Sequence, residues 1–369
     1  MNSVFYLQNR THRAGAQTCL ARILRNPEMR PWNPVLICSG AGWLTLEGER
    51  AGVPVVCESF PRSRSLFGRL HGNAAFVRSV AERVRPAICD RLIVHANDHL
   101  EGILGLKLAG ALGAKSAIFL RSPGMTRDDY FKYRCNKFEL IIAVGDELRE
   151  RVQSWERRRP IELIHDGIES GEFEAPKPKI QALPKRVLVI GSALAWKGWA
   201  DLTDALFLLE QEKVMPPLQF DFTGEEPSES ANDLKLARLS VVCCKFIGRV
   251  EAFRDLVRSY DLVINPTRME SFGMAAIEVL AAGVPLLSSR TGVIEQVQKT
   301  KEMLFPPSRP DVLAAALRHL LTNWKTIDFG ASRAQEYIRD RFLIDHAVGR
   351  LTAAYEKLLA LTPSSLGMM

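Results

Sequence analysis

The chain has 369 residues, 47% hydrophobic and 25% charged, which is the composition of a globular protein large enough for two domains. No uncharged apolar stretch is long enough to span a bilayer, and the N-terminal residues lack the pattern of a secretory signal. Seven scattered cysteines without a CxxC pair predict reduced thiols in a cytoplasmic protein and no zinc site; the net charge of +7 falls wholly within residues 1–180.

The N-terminal part alternates short apolar runs with segments of helical composition, as in an α/β fold. A first strand at residues 4–7 leads through a polar loop, which holds Arg13 and Gly15, into a helix at 16–24. In such folds this loop contacts the ligand. Further strands are predicted at 35–38, 53–56, 91–94, 117–120 and 140–144, and further helices at 74–84, 100–112 and 147–155, the last capped by Asp146.

A basic segment lies within this part. Its arginines are interleaved with apolar side chains: Arg62, Arg64, Arg69, Arg78, Arg83 and Arg85 with Phe60, Leu66, Phe67 and Phe76. A solvated basic face is one interpretation, and a surface that lies on an anionic membrane is another. Nucleic acid is not expected as a partner, because no nucleic-acid-binding motif accompanies the charge.

Polar residues follow two of the predicted strands. His95-Ala96-Asn97-Asp98-His99 comes after the strand at 91–94, and Arg121 comes after the strand at 117–120. Side chains at the carboxyl ends of strands are well placed for a site, although a histidine that caps the core explains His95 equally.

A proline-rich stretch at 174–184 predicts a linker between domains at 1–173 and 185–344, with a C-terminal helix and tail at 345–369. The second domain opens with a strand at 186–190 and the loop Gly191-Ser192-Ala193-Leu194-Ala195-Trp196-Lys197-Gly198. A lysine at such a strand-to-helix turn is a suitable point charge for a diphosphate. A later strand runs into Gly248 and Arg249, and helices are predicted at 311–322 and 331–341.

The central stretch of this domain is a strand at 262–264, a loop, and a helix that begins near Met274. The backbone N–H groups of Phe272, Gly273 and Met274 would form an anion site at the helix N-terminus. Glu270 and Glu278 would repel a phosphate and are suited to accept hydrogen bonds from sugar and ribose hydroxyls. An ordinary helix with solvated glutamates fits the same spacing.

Glu270-Ser271-Phe272-Gly273 with Glu278, followed by AAGVP at 281–285 and TGVIE at 291–295, resembles the signature of the family 4 retaining glycosyltransferases. The resemblance extends over nearly the whole chain. It implies a GT-B fold, in which two Rossmann-like domains face each other across a cleft and the C-terminal helix crosses back to the first domain. The chain departs from the family pattern at Ser192, where the family has an arginine, and at Arg121, where it often has a His-Gly pair.

The resemblance also implies roles for individual residues. Glu270, Lys197 and His95 would be catalytic, and the diphosphate or acceptor side would include Arg13, Gly15, Arg121 and Arg268. The donor would be bound by a larger set: Gly191, Ser192, Lys197, Gly248, Arg249, Ser271, Phe272, Gly273, Met274 and Glu278. Arg268 and Arg13 are the candidates for the cation that is missing at Ser192.

The implied function is transfer of a sugar, with retention of its anomeric configuration, from a nucleoside diphosphate sugar to a glycan, lipid-linked or small-molecule acceptor. Bacterial surface polysaccharide synthesis is the expected setting, at the inner face of the membrane. No cofactor is expected, and no metal, since Lys197 and the helix N-terminus can replace a divalent ion. A nucleotide-sugar epimerase of the same fold and a non-catalytic nucleotide-binding scaffold are the alternatives; no G-x-G-x-x-G follows the first strand, so a dehydrogenase is not expected.

Overall fold

The computed structural model describes residues 2–157, 159–178, 183–213, 216–224, 239, 242–250 and 252–360. These residues form two compact units, the first from the described residues of 1–169 and 342–369 and the second from Ser170–Arg341. The expected boundaries were 173/174 and 344/345. Described residues of the expected linker hydrogen-bond to the second unit, through Glu174 N to Ala281 O (3.0 Å) and Lys177 N to Gly283 O (2.8 Å). Residues 179–182 and 361–369 lie outside the described part.

The first unit is built on a parallel sheet of seven strands in the order β3-β2-β1-β4-β5-β6-β7. The strands are β1 Asn2–Gln8, β2 Pro34–Cys38, β3 Val55–Cys57, β4 Arg91–Ala96, β5 Lys115–Leu120, β6 Leu140–Ala143 and β7 Glu162–Leu163. The central strands are buried along nearly their whole length, as expected for parallel strands covered by helices on both faces.

The helices of this unit connect successive strands. They are α1 Gly15–Arg25, α2 Trp43–Arg50, α3 Asn73–Val84, α4 Gly102–Leu112, α5 Arg127–Lys132 and α6 Asp146–Trp155. The short helices α2 and α5 were not predicted. The cap prediction at Asp146 was wrong, because Gly145 precedes the helix as its N-cap and the Asp146 carboxylate accepts a hydrogen bond from His165 Nε2 at 3.0 Å.

The second unit has a parallel sheet of six strands in the order β10-β9-β8-β11-β12-β13. The strands are β8 Arg186–Val189, β9 Leu218–Phe222, β10 Val242–Phe246, β11 Leu262–Asn265, β12 Leu286–Ser289 and β13 Leu304–Phe305. The helices are α7 Trp199–Gln211, α8 Phe253–Arg258, α9 Met274–Ala281, α10 Ile294–Val297, α11 Pro310–Thr322 and α12 Ala331–Arg341. Apolar side chains of β8, β9, α7 and α11 form the main core of this unit.

Strand order reverses at the first strand of each sheet, because β1 pairs with β2 and β4 and β8 pairs with β9 and β11. In open α/β sheets the ligand crevice lies at the carboxyl ends of the strands beside such a reversal. The two Rossmann-like sheets confirm the predicted fold class.

The last helix, α13 Ile344–Ala360, belongs to the first unit. Its Tyr355 is fully buried and its hydroxyl lies 3.0 Å from the Tyr6 hydroxyl of β1. The return of the C-terminal helix to the first domain is therefore confirmed. Within the described ranges, no helix combines the length and apolar character needed to cross a bilayer.

Candidate active site

Two loops at the carboxyl edge of the second sheet are bound to each other. The loop after β8 accepts hydrogen bonds at Trp196 O from Arg268 N (2.7 Å) and Thr267 Oγ1 (3.1 Å) of the loop after β11. Gly198 has a φ of +70°, and a Cβ there would lie 1.8 Å from Pro266 O. Only glycine fits this approach, and the contact fixes the position of the neighbouring Lys197.

Lys197 and Glu270, which the sequence predicted as catalytic, are brought into direct contact across these loops. Lys197 Nζ lies 2.6 Å from Glu270 Oε1, and the side chains are 25% and 17% exposed. The pair is thus accessible from solvent but partly shielded, so that its electrostatic interactions are stronger than those of a fully exposed pair. A ligand that binds here meets an ammonium group and a carboxylate side by side.

The turn between Glu270 and α9 has the conformation expected of an anion site. Gly273 is the N-cap of α9 with a φ of +96°, and its backbone therefore takes a left-handed conformation that other residues rarely adopt. Phe272 O accepts a hydrogen bond from Val293 N at 2.9 Å, which ties the turn to the segment before α10. Ser271 Oγ is buried without a hydrogen-bond partner in the described part of the chain.

Met274 begins α9 and Glu278 follows in its second turn. The Met274 side chain is buried, and that of Glu278 is half-buried. Glu278 therefore lies on the same helix as the predicted anion site, one turn further from the N-terminus.

Gly191, Ser192 and Gly248 come together at the ends of three neighbouring strands. Gly191 N donates to Thr223 Oγ1 at 3.0 Å, and Gly224 N donates to Gly248 O at 2.7 Å. A Cβ on Gly224 would lie 3.2 Å from Ser192 Cα, so the loop after β9 is in close contact with the loop after β8. Arg249 follows Gly248 with an exposed side chain.

Arg268 is not the spare cation that the sequence suggested. Its guanidinium binds Asp201 of α7 through Nε at 2.7 Å and Nη2 at 2.6 Å. The hydrogen bonds to Asp201 raise the pKa of Arg268. The arginine therefore braces the loop after β11 against α7. Asp201 was not identified from the sequence, because nothing in its local pattern distinguishes it from a solvated helix residue.

Polar side chains also meet at the carboxyl edge of the first sheet, around Arg121. Arg121 Nε donates to Asn97 Oδ1 at 3.2 Å, and Nη1 donates to Asp166 Oδ1 at 2.5 Å. Burial opposes the charge of Arg121, but the Asp166 carboxylate outweighs it and the pKa is raised. Asn97 Nδ2 donates in turn to Gln8 Oε1 at 2.5 Å and Ala16 O at 3.3 Å.

This network reaches the first loop of the unit, where two predicted residues lie. Gly15 is the first residue of α1 and a Cβ there would meet nothing within 4 Å. Arg13 stacks on Trp43, with Cζ 5.5 Å from the ring centroid. Neither Asp166 nor Gln8 was predicted as a site residue from the sequence. Their contacts with Arg121 and Asn97 arise because the folded sheet brings distant parts of the chain together.

Asp98 organises the turn after β4. Its Oδ1 accepts from His99 Nδ1 at 2.9 Å, and its Oδ2 accepts from Ser122 Oγ at 2.7 Å. Burial disfavours a charge on His99, but the hydrogen bond and charge of Asp98 outweigh burial and raise the pKa of His99. Nearby, burial first and the Asp98 charge second raise the pKa of Glu101 to about 8, so that Glu101 is largely protonated at neutral pH.

His95 lies inside the first unit rather than at its surface. The residue is fully buried, its Nδ1 is hydrogen-bonded to the Tyr355 hydroxyl, and its ring packs 4.3 Å from that of Phe119. Burial, together with the Arg121 charge, lowers the pKa of His95 well below its usual value. This is the position of a structural residue, and it does not support the predicted catalytic role.

Part of the sequence and the fold are similar to known proteins. Residues 184–323 match the family "Glycosyl transferases group 1", and HepE of Anabaena, in a structure with UDP and glucose, has a similar fold: its TM-score is 0.78 at 20% identity, over 98% of this chain and 100% of that one. Residues 184–323 thus resemble the group 1 glycosyltransferases in sequence, and the described residues have the GT-B fold that was predicted. Placement of the chain in family 4 stays a prediction.

Relatives that bear glycosyltransferase names match part of this chain. An uncharacterised glycosyltransferase of Methanocaldococcus jannaschii is 25% identical over 58% of this chain and 59% of its own length. A GDP-mannose-dependent phosphatidylinositol dimannoside mannosyltransferase of Mycobacterium tuberculosis is 30% identical over 27% of this chain and 26% of its own length. The matches thus span about a quarter to three fifths of these relatives. They do not favour the epimerase or the scaffold.

Proposed function

We propose that this chain is a retaining glycosyltransferase that takes a sugar from a nucleoside diphosphate sugar and transfers it to an acceptor hydroxyl. The observation that carries the proposal is the Lys197–Glu270 contact of 2.6 Å. It lies within the residues that match the group 1 glycosyltransferases. A cation for the leaving group and an acceptor of hydroxyl hydrogen bonds are the two functions that this reaction needs side by side.

The proposed chemistry is electrostatic. When the bond between the sugar carbon C1 and the phosphate oxygen breaks, negative charge develops on the departing diphosphate. Fixed donors aimed at that charge lower the barrier; Lys197 and the backbone at Gly273 are placed to supply them. Glu270 then exchanges its contact with Lys197 for the sugar hydroxyls, and Glu278 accepts from the ribose.

Retention sets the direction of attack. The acceptor hydroxyl must approach C1 from the face that the diphosphate leaves, so the departing phosphate oxygen is the nearest base for its proton. The new glycosidic bond forms as the old one breaks, and the proton leaves with the nucleoside diphosphate. No metal is required in this scheme, because the lysine and the helix N-terminus carry the charge.

We assign the acceptor to the carboxyl edge of the first sheet, beside Arg121 and Asp98. Asp166 and Asn97 hold the Arg121 side chain in a fixed orientation. Arg121 is therefore suited to position an acceptor, and its pairing with the Asp166 carboxylate leaves this cluster with little net charge. His99 and Ser122 offer hydrogen-bonding groups to acceptor hydroxyls.

The test is a panel of nucleotide sugars that begins with UDP-glucose, which HepE binds in a related structure. A true donor should raise the melting temperature, since saturation at 100 times Kd stabilises by about 2.7 kcal/mol. It should also be hydrolysed slowly in the absence of acceptor and give a product with the donor's anomeric configuration, by NMR, in the presence of a chelator. Stabilisation by a nucleotide without any hydrolysis or transfer would contradict the proposal and indicate a scaffold.

A further inference from the structure

The two most exposed large apolar side chains of the described residues are neighbours in the chain. Leu66 is 76% exposed and Phe67 is 71% exposed, whereas the next, Leu46, is 52% exposed. Single exposed apolar residues are ordinary, but two adjacent ones this exposed carry a free-energy cost of hydration and indicate an interaction surface. The side chain of Arg69, within the same basic segment, lies outside the described part.

A hydrogen-bonded turn at residues 62–68 carries Leu66 and Phe67. Ser65 N and Oγ both donate to Arg62 O, at 2.9 and 2.8 Å, and Gly68 N donates to Ser65 Oγ at 3.0 Å. Asn73 Nδ2 closes the turn by donating to Ser63 O at 2.9 Å. A Cβ on Gly68 would lie 2.2 Å from Arg62 O, so the turn leaves no room for one. The polar groups of the turn thus bond to one another, and Leu66 and Phe67 are held on a hydrogen-bonded turn with their side chains exposed.

A basic groove continues from the turn along α3. It has a volume of about 530 Å³ between α3 and α4, and its charged lining is Arg78, Arg85 and Lys107 with a single acid, Glu82. The three basic side chains are exposed. The rest of the lining is largely small and apolar, which leaves the guanidinium and ammonium groups as the dominant feature of this face.

We propose that the turn at residues 62–68 and the α3–α4 groove together dock on an anionic lipid bilayer. Leu66 and Phe67 enter the interfacial layer, and Arg78, Arg85 and Lys107 bind lipid phosphates. The combination of exposed apolar side chains with an excess of basic over acidic ones is the chemistry of an interfacial membrane site. Phe76 does not take part, since it is buried; Arg83 is bonded to Cys57 O at 2.7 Å and lies 3.6 Å from Glu58.

Aromatic contacts connect this surface to the proposed acceptor side. Arg64 stacks on Tyr133, with Cζ 5.2 Å from the ring centroid, and the Tyr133 ring lies 5.2 Å from that of His99. His99 is the hydrogen-bond partner of Asp98. An acceptor anchored in the bilayer would therefore be presented beside this cluster. This second step rests on the proposed function, and it identifies the acceptor as lipid-linked.

The test is co-sedimentation with vesicles of phosphatidylglycerol and phosphatidylcholine, compared with phosphatidylcholine alone. Binding should be strong to the anionic vesicles at about 0.1 M salt and weak at about 1 M, where the Debye length falls to about 3 Å. Leu66→Ser with Phe67→Ser should weaken binding at least about ten-fold. Arg78→Ser with Arg85→Ser should weaken it about five-fold for each charge removed.

Matched controls lie in the second unit. Phe207→Ser with Leu208→Ser removes an adjacent pair that is 37% and 38% exposed, and Arg309→Ser with Arg318→Ser removes two exposed arginines; neither should change vesicle binding.

Equal binding to neutral and anionic vesicles, no binding to either, or equal losses in the control variants would overturn the proposal. A dimer in analytical ultracentrifugation that Leu66→Ser with Phe67→Ser dissociates would assign the surface to a second copy instead. Donor hydrolysis and the UDP-induced thermal shift, measured without vesicles, test the proposed function separately and should be unchanged in all four variants.

Discussion

Removal of the Lys197 ammonium group tests the proposed site most directly. Lys197→Ala takes away the cation that lies 2.6 Å from Glu270. Loss of one preorganised donor to a developing charge costs about 100-fold or more in kcat/KM, or about 2.7 kcal/mol. We expect that loss in donor hydrolysis and in transfer alike, because both reactions expel the same diphosphate.

The stability effect of the same change should be much smaller. The two side chains are 25% and 17% exposed, so solvent screens the pair and its loss should cost only about 1 kcal/mol. That corresponds to a fall of roughly 2–4 °C in melting temperature for a protein of this size, and the enzyme stays folded during the assay.

The assay is a coupled measurement of released nucleoside diphosphate, with Lys245→Ala as the control for loss of an exposed lysine of the same unit. The double variant of Lys197→Ala with Glu270→Gln should have about the same kcat/KM as the less active single variant, since the two residues act on one step. Activity of Lys197→Ala within a few-fold of wild type would refute the assignment of the leaving-group cation.

Other residues give further predictions. Glu270→Gln should reduce kcat with little change in nucleoside diphosphate affinity, whereas Glu278→Gln should weaken that affinity about ten-fold by removing the proposed ribose contact. Calorimetry that finds both variants binding like wild type would contradict the ribose assignment. The pKa of Glu101 is 4.5 in the unfolded chain and about 8 when folded, so the native state retains a proton that the unfolded state loses, and stability falls as the pH rises through that range. Glu101→Gln should abolish this fall and be more stable than wild type by about 3 kcal/mol at pH 7, in denaturant titrations; an unchanged pH dependence would contradict it. Tyr355→Phe leaves the buried His95 Nδ1 without its partner and should cost about 1–3 kcal/mol of stability. The thermal shift induced by the nucleotide sugar that the donor panel identifies should be the same in that variant as in wild type; a lost shift with normal stability would restore His95 to the ligand site.

The local sequence determined most of the elements of the second unit and indicated its candidate site. Apolar runs such as Leu262 to Ile264 are rich in β-branched residues and bounded by turn residues, so their composition and length identify buried strands without knowledge of their neighbours. The Glu270 and Lys197 loops were found for a related reason: each follows a strand directly, and parallel strands bring their carboxyl ends to one edge.

Only the tertiary structure decided which charges are available. Arg268 was predicted as a spare cation, and its partner Asp201 is 67 residues away in the chain. The buried His95 is hydrogen-bonded through Nδ1 to the hydroxyl of Tyr355, which is 260 residues away. An ion pair or a hydrogen bond between distant residues leaves no periodic trace in the sequence, because it requires one side chain at each end and no pattern between them. Residue type and spacing therefore predicted where ligands would bind, while the packing of distant elements determined which side chains there remain free to bind them.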